Sequence, residues 1–175
     1  MVSASRPRLV LVGPPGSGKT TVGLLVAQRL EEPFADVDDV VEQRAGKSIY
    51  DLFIDDGEAA FRELEREVCA LMLAEEPGVV SLGGGSVLDP RTEADLAGLT
   101  VVFLDVAISD AAKRIGFAQS RPLLAVNPRA QWTQLMNQRR PVYERVATFT
   151  VDTAGRDSVD VADDVVAGLR SAESA

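Results

Sequence analysis

Leu9-Val10-Leu11-Val12-Gly13-Pro14-Pro15-Gly16-Ser17-Gly18-Lys19-Thr20 is the stretch on which the reading of this chain turns. Positions 13–20 fit G-x-x-x-x-G-K-[ST], a phosphate-binding loop, and the flanks supply the context that the motif requires. Leu9 to Val12 form a short apolar, β-branched run that predicts a buried strand. From Thr21 to Leu30 the apolar residues fall at Val22, Leu25, Val26 and Leu30, a helical spacing. Strand, glycine loop and helix in that order predict a loop closed around a polyphosphate.

Gly13, Gly16 and Gly18 allow a tight turn and a close approach of backbone to ligand. Successive N–H groups then line a concave anion nest. The free N–H groups and positive dipole end of the next helix face the same anion. In such loops the lysine, here Lys19, reaches the β- and γ-phosphates, and the hydroxyl of Thr20 ligates Mg²⁺. The expectation is a nucleoside triphosphate with Mg²⁺ bound across Gly13, Pro14, Pro15, Gly16, Ser17, Gly18, Lys19 and Thr20. A plain glycine turn with a surface lysine would not need the flanking strand and helix. The motif alone leaves the fate of the γ-phosphate open.

A chain of 175 residues is long enough for one domain with a substantial core. Its hydrophobic content of 46% and charged content of 26% are ordinary for a globular protein. The formal net charge of −9 argues against a nucleic-acid partner, although a few arginines can still converge on a small anion. Cys69 is the only cysteine, so no intrachain disulfide forms and a reducing compartment is expected. It falls on the apolar side of a predicted helix, as a buried structural thiol would. The absence of histidine excludes histidine-based catalysis and histidine metal sites. No signal-peptide pattern follows Arg6 and Arg8, and no apolar run approaches membrane-spanning length, so the expectation is cytoplasmic with no membrane partner.

Downstream, Pro33 ends the first helix, and Phe34 to Val37 predict a second strand that runs into Asp36-Val37-Asp38-Asp39. A helix with Val40, Val41 and Arg44 follows and stops at Gly46. Ser48 is placed to cap a short helix carrying Ile49, Leu52 and Phe53. After Gly57, a longer helix from Glu58 to Ala74 sets Phe61, Leu64, Val68, Leu71 and Met72 on one face. Val79 to Leu82 predict a third strand ending in Gly83-Gly84-Gly85. Pro90 to Leu96 predict a short helix with Pro90 in its first turn. A fourth strand spans Thr100 to Val106, and Ser109 is expected to cap a helix from Asp110 to Gly116. Residues 117–129 read as an irregular functional loop or lid. Ala130 to Val146 predict a helix with Trp132, Leu135 and Met136 as apolar anchors and a kink or break near Arg140, ahead of Pro141. Phe149 to Asp152 form the fifth strand and Ser158 to Leu169 the last helix, with 171–175 fraying.

Five strands alternating with helices predict an α/β sandwich with a parallel sheet. Ligands in such sheets sit beyond the carboxyl ends of the strands. The phosphate loop, the aspartates after strand two and the triple glycine after strand three are therefore expected to converge on one crevice. Asp36 and Asp38 alternate along an extended strand end, which would point them to opposite faces. One would then help hold Mg²⁺ through water and the other face a substrate, the two carboxylate duties in phosphoryl transfer. An acidic cap for the following helix is the plainer reading of the same residues. Gly83, Gly84 and Gly85 would let backbone approach a ligand unobstructed. Arg62, Arg121 and Arg139 are candidates to grip a carboxylate or phosphate in a bidentate fork, though each alone also reads as a surface charge. Glu65, three residues beyond Arg62 on a helix, can steady that arginine.

With GPPGSGKT at 13–20, DVD at 36–38, FRELE at 61–65, SLGGG at 81–85, RPLL at 121–124 and RRPVYERVA at 139–147, the chain from Leu9 to Asp152 closely resembles the shikimate kinases. These belong to the nucleoside-monophosphate-kinase-like P-loop kinases. The resemblance implies a three-layer α/β/α sandwich with a five-stranded parallel sheet in the order 2-3-1-4-5, a substrate-binding region at 33–62 and a lid at 116–129. It implies ATP-dependent phosphorylation of the shikimate 3-hydroxyl, with one Mg²⁺ per MgATP, on the route to chorismate and the aromatic amino acids, by a cytoplasmic monomer. By position it implies that Asp38, Phe53, Phe61, Arg62, Glu65, Gly83, Gly84, Gly85, Pro122, Leu123 and Arg139 surround shikimate. Lys19, Asp36 and Arg121 would be the catalytic set: Asp36 beside the metal as base or orienter, and Arg121 as the lid arginine on the phosphates. Arg114 would stack on adenine, and Arg156 would contact it from the adenine-side loop. That loop departs from some relatives, which carry proline where Ser158 stands, and residues 116–120 are not a close match. The competing expectations are a gluconate-kinase-like enzyme, which would not need the Asp-x-Asp, Phe-Arg and triple-glycine set, and a non-catalytic nucleotide-binding protein. A GTPase would carry N/T-K-x-D, which is absent.

Overall fold

β1 (Leu9–Val12) is buried along its whole length, and the alternation of its side chains divides the molecule in two. Leu9 and Leu11 enter one core, packed with Val22 and Val26 of α1 (Lys19–Leu30) and Val161, Val165 and Leu169 of α8 (Ser158–Glu173). Val10 and Val12 enter the other, packed with residues from α2 (Val37–Ala45), α3 (Ile49–Asp56), α4 (Glu58–Glu75) and α7 (Pro128–Val146). Each such side chain contributes about 1.5–3 kcal/mol on leaving water. The structure, a computed structural model, describes residues 5–115 and 127–175.

The remaining elements are β2 (Phe34–Asp36), β3 (Val79–Ser81), a 3₁₀ turn at Ser86–Leu88, α5 (Pro90–Asp95), β4 (Val101–Asp105), α6 (Ile108–Ile115) and β5 (Phe149–Asp152). The strands form a parallel sheet in the order β2-β3-β1-β4-β5, as the resemblance implied. In register, Asp36 at the end of β2 and Leu11 of β1 flank Ser81 at the end of β3. The phosphate loop, Asp36 and the triple glycine thus leave the sheet along one edge.

Several boundaries differ from the sequence reading. Asp38 is helical rather than extended: Asp36 caps α2, its carboxylate accepting the Asp38 N–H at 2.9 Å, and the chain turns helical at Val37. A carboxylate that captures the backbone two residues on outweighs the local β-pattern. Ser109 lies inside the first turn of α6, which begins at Ile108 with the Ala107 carbonyl accepting the N–H of Asp110 and Ala111. On α4, Leu71 is exposed and Leu73 is buried instead. α8 continues to Glu173, where the Arg8–Glu173 ion pair at 2.8 Å holds its last turn.

α7 starts at Pro128, so residues 127–129 of the predicted lid belong to a helix and its cap, and the rest of the lid, 116–126, lies outside the described residues. α7 also runs unbroken through Pro141. The ring removes one intrahelical bond, and contacts on both sides of it hold the helix in place. Arg140 grips Asp105 at the end of β4 with two bonds of 2.8 Å, and the Tyr143 hydroxyl donates to the Gly84 carbonyl. Cys69 is fully buried on α4, as expected, and burial pushes its thiol pKa up to about 12.

Candidate active site

The loop after β1 is built on positive-φ glycines. Gly16 and Gly18 take φ of 80° and 88°, and Gly18 is the N-cap of α1. The Gly13 backbone comes so close to β4 that an added Cβ would lie 2.6 Å from the Leu104 carbonyl oxygen. The loop's N–H groups and the start of α1 open onto a cavity of about 480 Å³. Lys19 Nζ donates to the Gly13 and Pro14 carbonyls at 2.7 and 3.1 Å, which lays the side chain along the loop.

Thr20, in the first turn of α1, donates its hydroxyl to Asp36 Oδ2 at 2.9 Å. A hydroxyl and a carboxylate held together at the phosphate end are the hard oxygen donors that Mg²⁺ prefers. Among the described residues no group of three or more acidic or cysteine side chains could hold a metal alone. The donor set therefore fits a Mg²⁺ that arrives with nucleotide phosphates and keeps waters, and does not fit a dedicated protein cage. Asp36 caps α2 through Oδ1, the plainer reading of the sequence, and meets Thr20 through Oδ2.

The triple glycine separates this cavity from a second one of about 330 Å³: Gly84 lines the first and Gly85 the second. Each glycine leaves room for a different charged side chain. A Cβ on Gly83 would lie 2.9 Å from both Asp38 Oδ1 and Glu65 Oε2. One on Gly84 would lie 3.1 Å from Arg139 Nη1, and one on Gly85 2.6 Å from Arg62 Nη1. Residues drawn from α2, α4 and α7 therefore converge on three consecutive backbone positions. The requirement is space: Gly85 has an ordinary φ of −101°.

Arg62 donates to Glu65 Oε1 at 2.8 Å and lies over the Phe61 ring, 4.9 Å from its centroid. Phe61 in turn packs at 6.1 Å from Phe53. Glu65 is buried and also accepts from the Ser86 hydroxyl at 3.0 Å, so both its oxygens are engaged. Arg139 is only 4% exposed, yet its Nε has no hydrogen-bond partner among the described residues. A buried guanidinium N–H left without an acceptor is costly unless a ligand supplies one.

On the other side of the loop, Arg114 of α6 donates to the Gly16 carbonyl at 3.1 Å and, more weakly, to the Thr153 carbonyl at 3.5 Å. Arg156 is held by the Asp152 carbonyl at 3.1 Å and the Asp164 carboxylate at 2.8 Å. Both arginines line the larger cavity with Thr153, Ser158 and Val161. Arg121, Pro122 and Leu123 lie outside the described residues. Sequence reasoning placed Trp132 and Met136 as apolar anchors of α7 but did not foresee what its buried face touches. Trp132, Met136, Arg139 and Tyr143 recur at helical spacing and are all buried; Trp132 reaches the Pro15 carbonyl and Tyr143 the Gly84 carbonyl. That periodicity was visible in the sequence, but what the stripe touches was not.

Comparison with known proteins agrees with this arrangement. A family model described as shikimate kinase matches residues 15–170. The shikimate kinase of Thermobifida fusca is 50% identical over 169 residues, covering 97% of this chain and 98% of the relative. That of Salinispora arenicola is 55% identical over 163 residues, covering 93% and 98%. Among solved structures, a shikimate kinase from Acinetobacter baumannii in complex with shikimate superposes with a TM-score of 0.88 at 31% identity, covering 97% of this chain and 95% of that one.

Proposed function

The chain belongs to the shikimate kinase family and is a P-loop kinase that uses ATP to phosphorylate shikimate; we propose that the accepting group is the 3-hydroxyl, giving shikimate 3-phosphate and ADP. The gluconate-kinase-like and non-catalytic readings fall away with that membership. The observation that carries the substrate reading is Arg139, buried with an unpartnered Nε beside Gly84, one glycine from Arg62 at Gly85. Two guanidinium groups over a side-chain-free strip are suited to a carboxylate, which they bind in a fork.

In this proposal Arg62 and Arg139 hold the shikimate carboxylate, and Glu65 fixes Arg62 through its 2.8 Å bond. Asp38, beside Gly83, receives ring hydroxyls, with Phe53 and Phe61 walling the pocket. Pro122 and Leu123 would close it from the lid. Asp36 orients the attacking hydroxyl or accepts its proton. The loop N–H groups and Lys19 hold the phosphates, whose oxygens would replace the Gly13 and Pro14 carbonyls as acceptors for the Lys19 ammonium. Arg121 would meet the transferred phosphoryl group, and Arg114 and Arg156 would flank adenine. Mg²⁺, when bound at Thr20 and near Asp36, would neutralise charge on the phosphates. Catalysis would then rest mainly on positioning and preorganised charge. No helix among the described residues is long and apolar enough to cross a membrane. We place the enzyme in the cytoplasm, as a monomer without nucleic-acid partners.

The test is ADP release from MgATP, with and without shikimate, for the wild type and Arg62→Ala. The proposal expects shikimate-dependent release, and a variant that loses it mainly through a raised KM for shikimate. ADP release indifferent to shikimate would refute the substrate assignment. An equal loss in kcat with unchanged KM would refute the carboxylate clamp.

A further inference from the structure

Trp132 is the single tryptophan of the chain. It is 5% exposed, and its indole N–H donates to the Pro15 carbonyl at 3.1 Å, joining residues 117 positions apart. Pro15 stands between Gly13 and Gly16 in the phosphate-binding arc. The next carbonyl along, that of Gly16, is held by Arg114 of α6 at 3.1 Å. Two successive carbonyls of the loop are therefore gripped from outside, one by each of two helices.

In a trans peptide the C=O and the following N–H point in opposite directions. Holding the Pro15 carbonyl outward turns the Gly16 N–H inward, whereas the Ser17 N–H turns back to the Pro14 carbonyl at 3.2 Å. Neither Pro14 nor Pro15 has an N–H of its own to offer. The Gly16 N–H is thus the first amide donor after Gly13, and its aim depends on the peptide plane that Trp132 fixes. The glycine at 16, with φ of 80°, gives that plane freedom to rotate if nothing holds it. α7 is firmly placed to serve as the anchor, since Arg140 ties it to β4 and Tyr143 to Gly84.

We infer that Trp132 is a positioning residue for the nucleotide: its indole N–H fixes the Pro15–Gly16 peptide plane so that the Gly16 N–H faces the phosphates. The inference rests on the nucleotide half of the proposed function alone. A protein that bound MgADP without phosphorylating shikimate would sink the substrate assignment and leave this test intact.

The experiment is calorimetric titration of MgADP, and separately of shikimate, into the wild type and Trp132→Phe, which keeps an aromatic ring and removes the donor. MgADP affinity is expected to fall about 5- to 10-fold, the scale of one buried hydrogen bond whose acceptor is left unsatisfied, with shikimate affinity within about twofold. MgADP affinity unchanged within about twofold would overturn the inference. So would an equal loss for both ligands, which would mark Trp132 as core packing only. The wild type provides an independent reading, because all tryptophan fluorescence comes from this site. A saturable emission change on adding MgADP, with the calorimetric midpoint, is expected; emission indifferent to MgADP would overturn the inference.

Discussion

Gly85→Ala isolates the carboxylate clamp with the smallest change available. Gly85 has φ of −101° and ψ of −3°, a conformation alanine adopts without strain, so the backbone itself resists nothing. The added methyl, however, would lie 2.6, 2.8 and 3.0 Å from Nη1, Nη2 and Cζ of Arg62. All three close atoms belong to the end of one flexible side chain that is 29% exposed. Arg62 must therefore swing away, and it gives up its bond to Glu65 as it does so. On stability the terms oppose each other. Replacing glycine narrows the unfolded ensemble by about 0.4–1 kcal/mol, while a partly exposed i,i+3 ion pair contributes about 0.3–0.5 kcal/mol. The net change stays within about 1 kcal/mol, so Tm moves by no more than about 4 °C for a chain of this size. On binding, a displaced guanidinium loses one or two charge-assisted hydrogen bonds to the substrate carboxylate, about 1.5–3 kcal/mol each, and the KM for shikimate rises at least about 10-fold. Steady-state ADP release with shikimate varied reads this directly, with the KM for MgATP as the internal control. The decisive step is a double-mutant cycle with Arg62→Ala, because the methyl acts only through that arginine. In the Arg62→Ala background, Gly85→Ala should add almost nothing to the KM. A full additive penalty in that background would refute the reasoning, as would a Tm drop well beyond 4 °C.

The other predictions concern titrating groups. Cys69, its thiol pushed up to about 12 by burial, should resist a thiolate-selective disulfide reagent at pH 8 in the folded protein and react promptly in denaturant; fast stoichiometric labelling of native protein would refute this. Asp89 caps α5, accepting the Arg91 N–H at 2.9 Å and pairing with the Arg91 guanidinium at 2.8 Å, which holds its pKa down at about 2. A depressed carboxylate stabilises the fold above its unfolded pKa of about 3.9 and loses that contribution as pH falls toward 2. Asp89→Ala should therefore cost about 0.5–1 kcal/mol in urea unfolding at pH 7, and the gap from wild type should close below pH 4; a gap independent of pH would refute the assignment.

The elements themselves were legible because their signals are local. β1 reads as a strand from four consecutive apolar residues, and its burial on both faces follows from its central place in the sheet. Gly46, Ser48 and Pro90 mark helix ends by side-chain and backbone chemistry that acts within one turn, and the structure places boundaries at all three. The phosphate loop is likewise a short-range motif. The sheet order, and the assignment of candidate residues to shikimate or adenine, were carried in the sequence reading by resemblance across six separated motifs, not by periodicity. Where local signals competed, sequence reasoning chose wrongly: the alternation of Asp36 and Asp38 suggested extended chain, whereas the Asp36 carboxylate captured the Asp38 N–H and started a helix. Pro141 suggested a kink or a break, and ties distributed along α7 kept the helix continuous, so no break occurs.

By itself the sequence determined a parallel α/β sheet with an anion loop at the end of its first strand, because hydrophobic period, turn chemistry and the glycine motif act over a few residues. Only the tertiary structure decided that Gly83, Gly84 and Gly85 make room for Asp38, Arg139 and Arg62 respectively, and that Trp132 and Arg114 grip adjacent carbonyls of the loop. Those relations join residues up to 117 positions apart. They depend on the direction of each side chain and the ångström-scale separation of packed elements, which no local pattern in a sequence encodes.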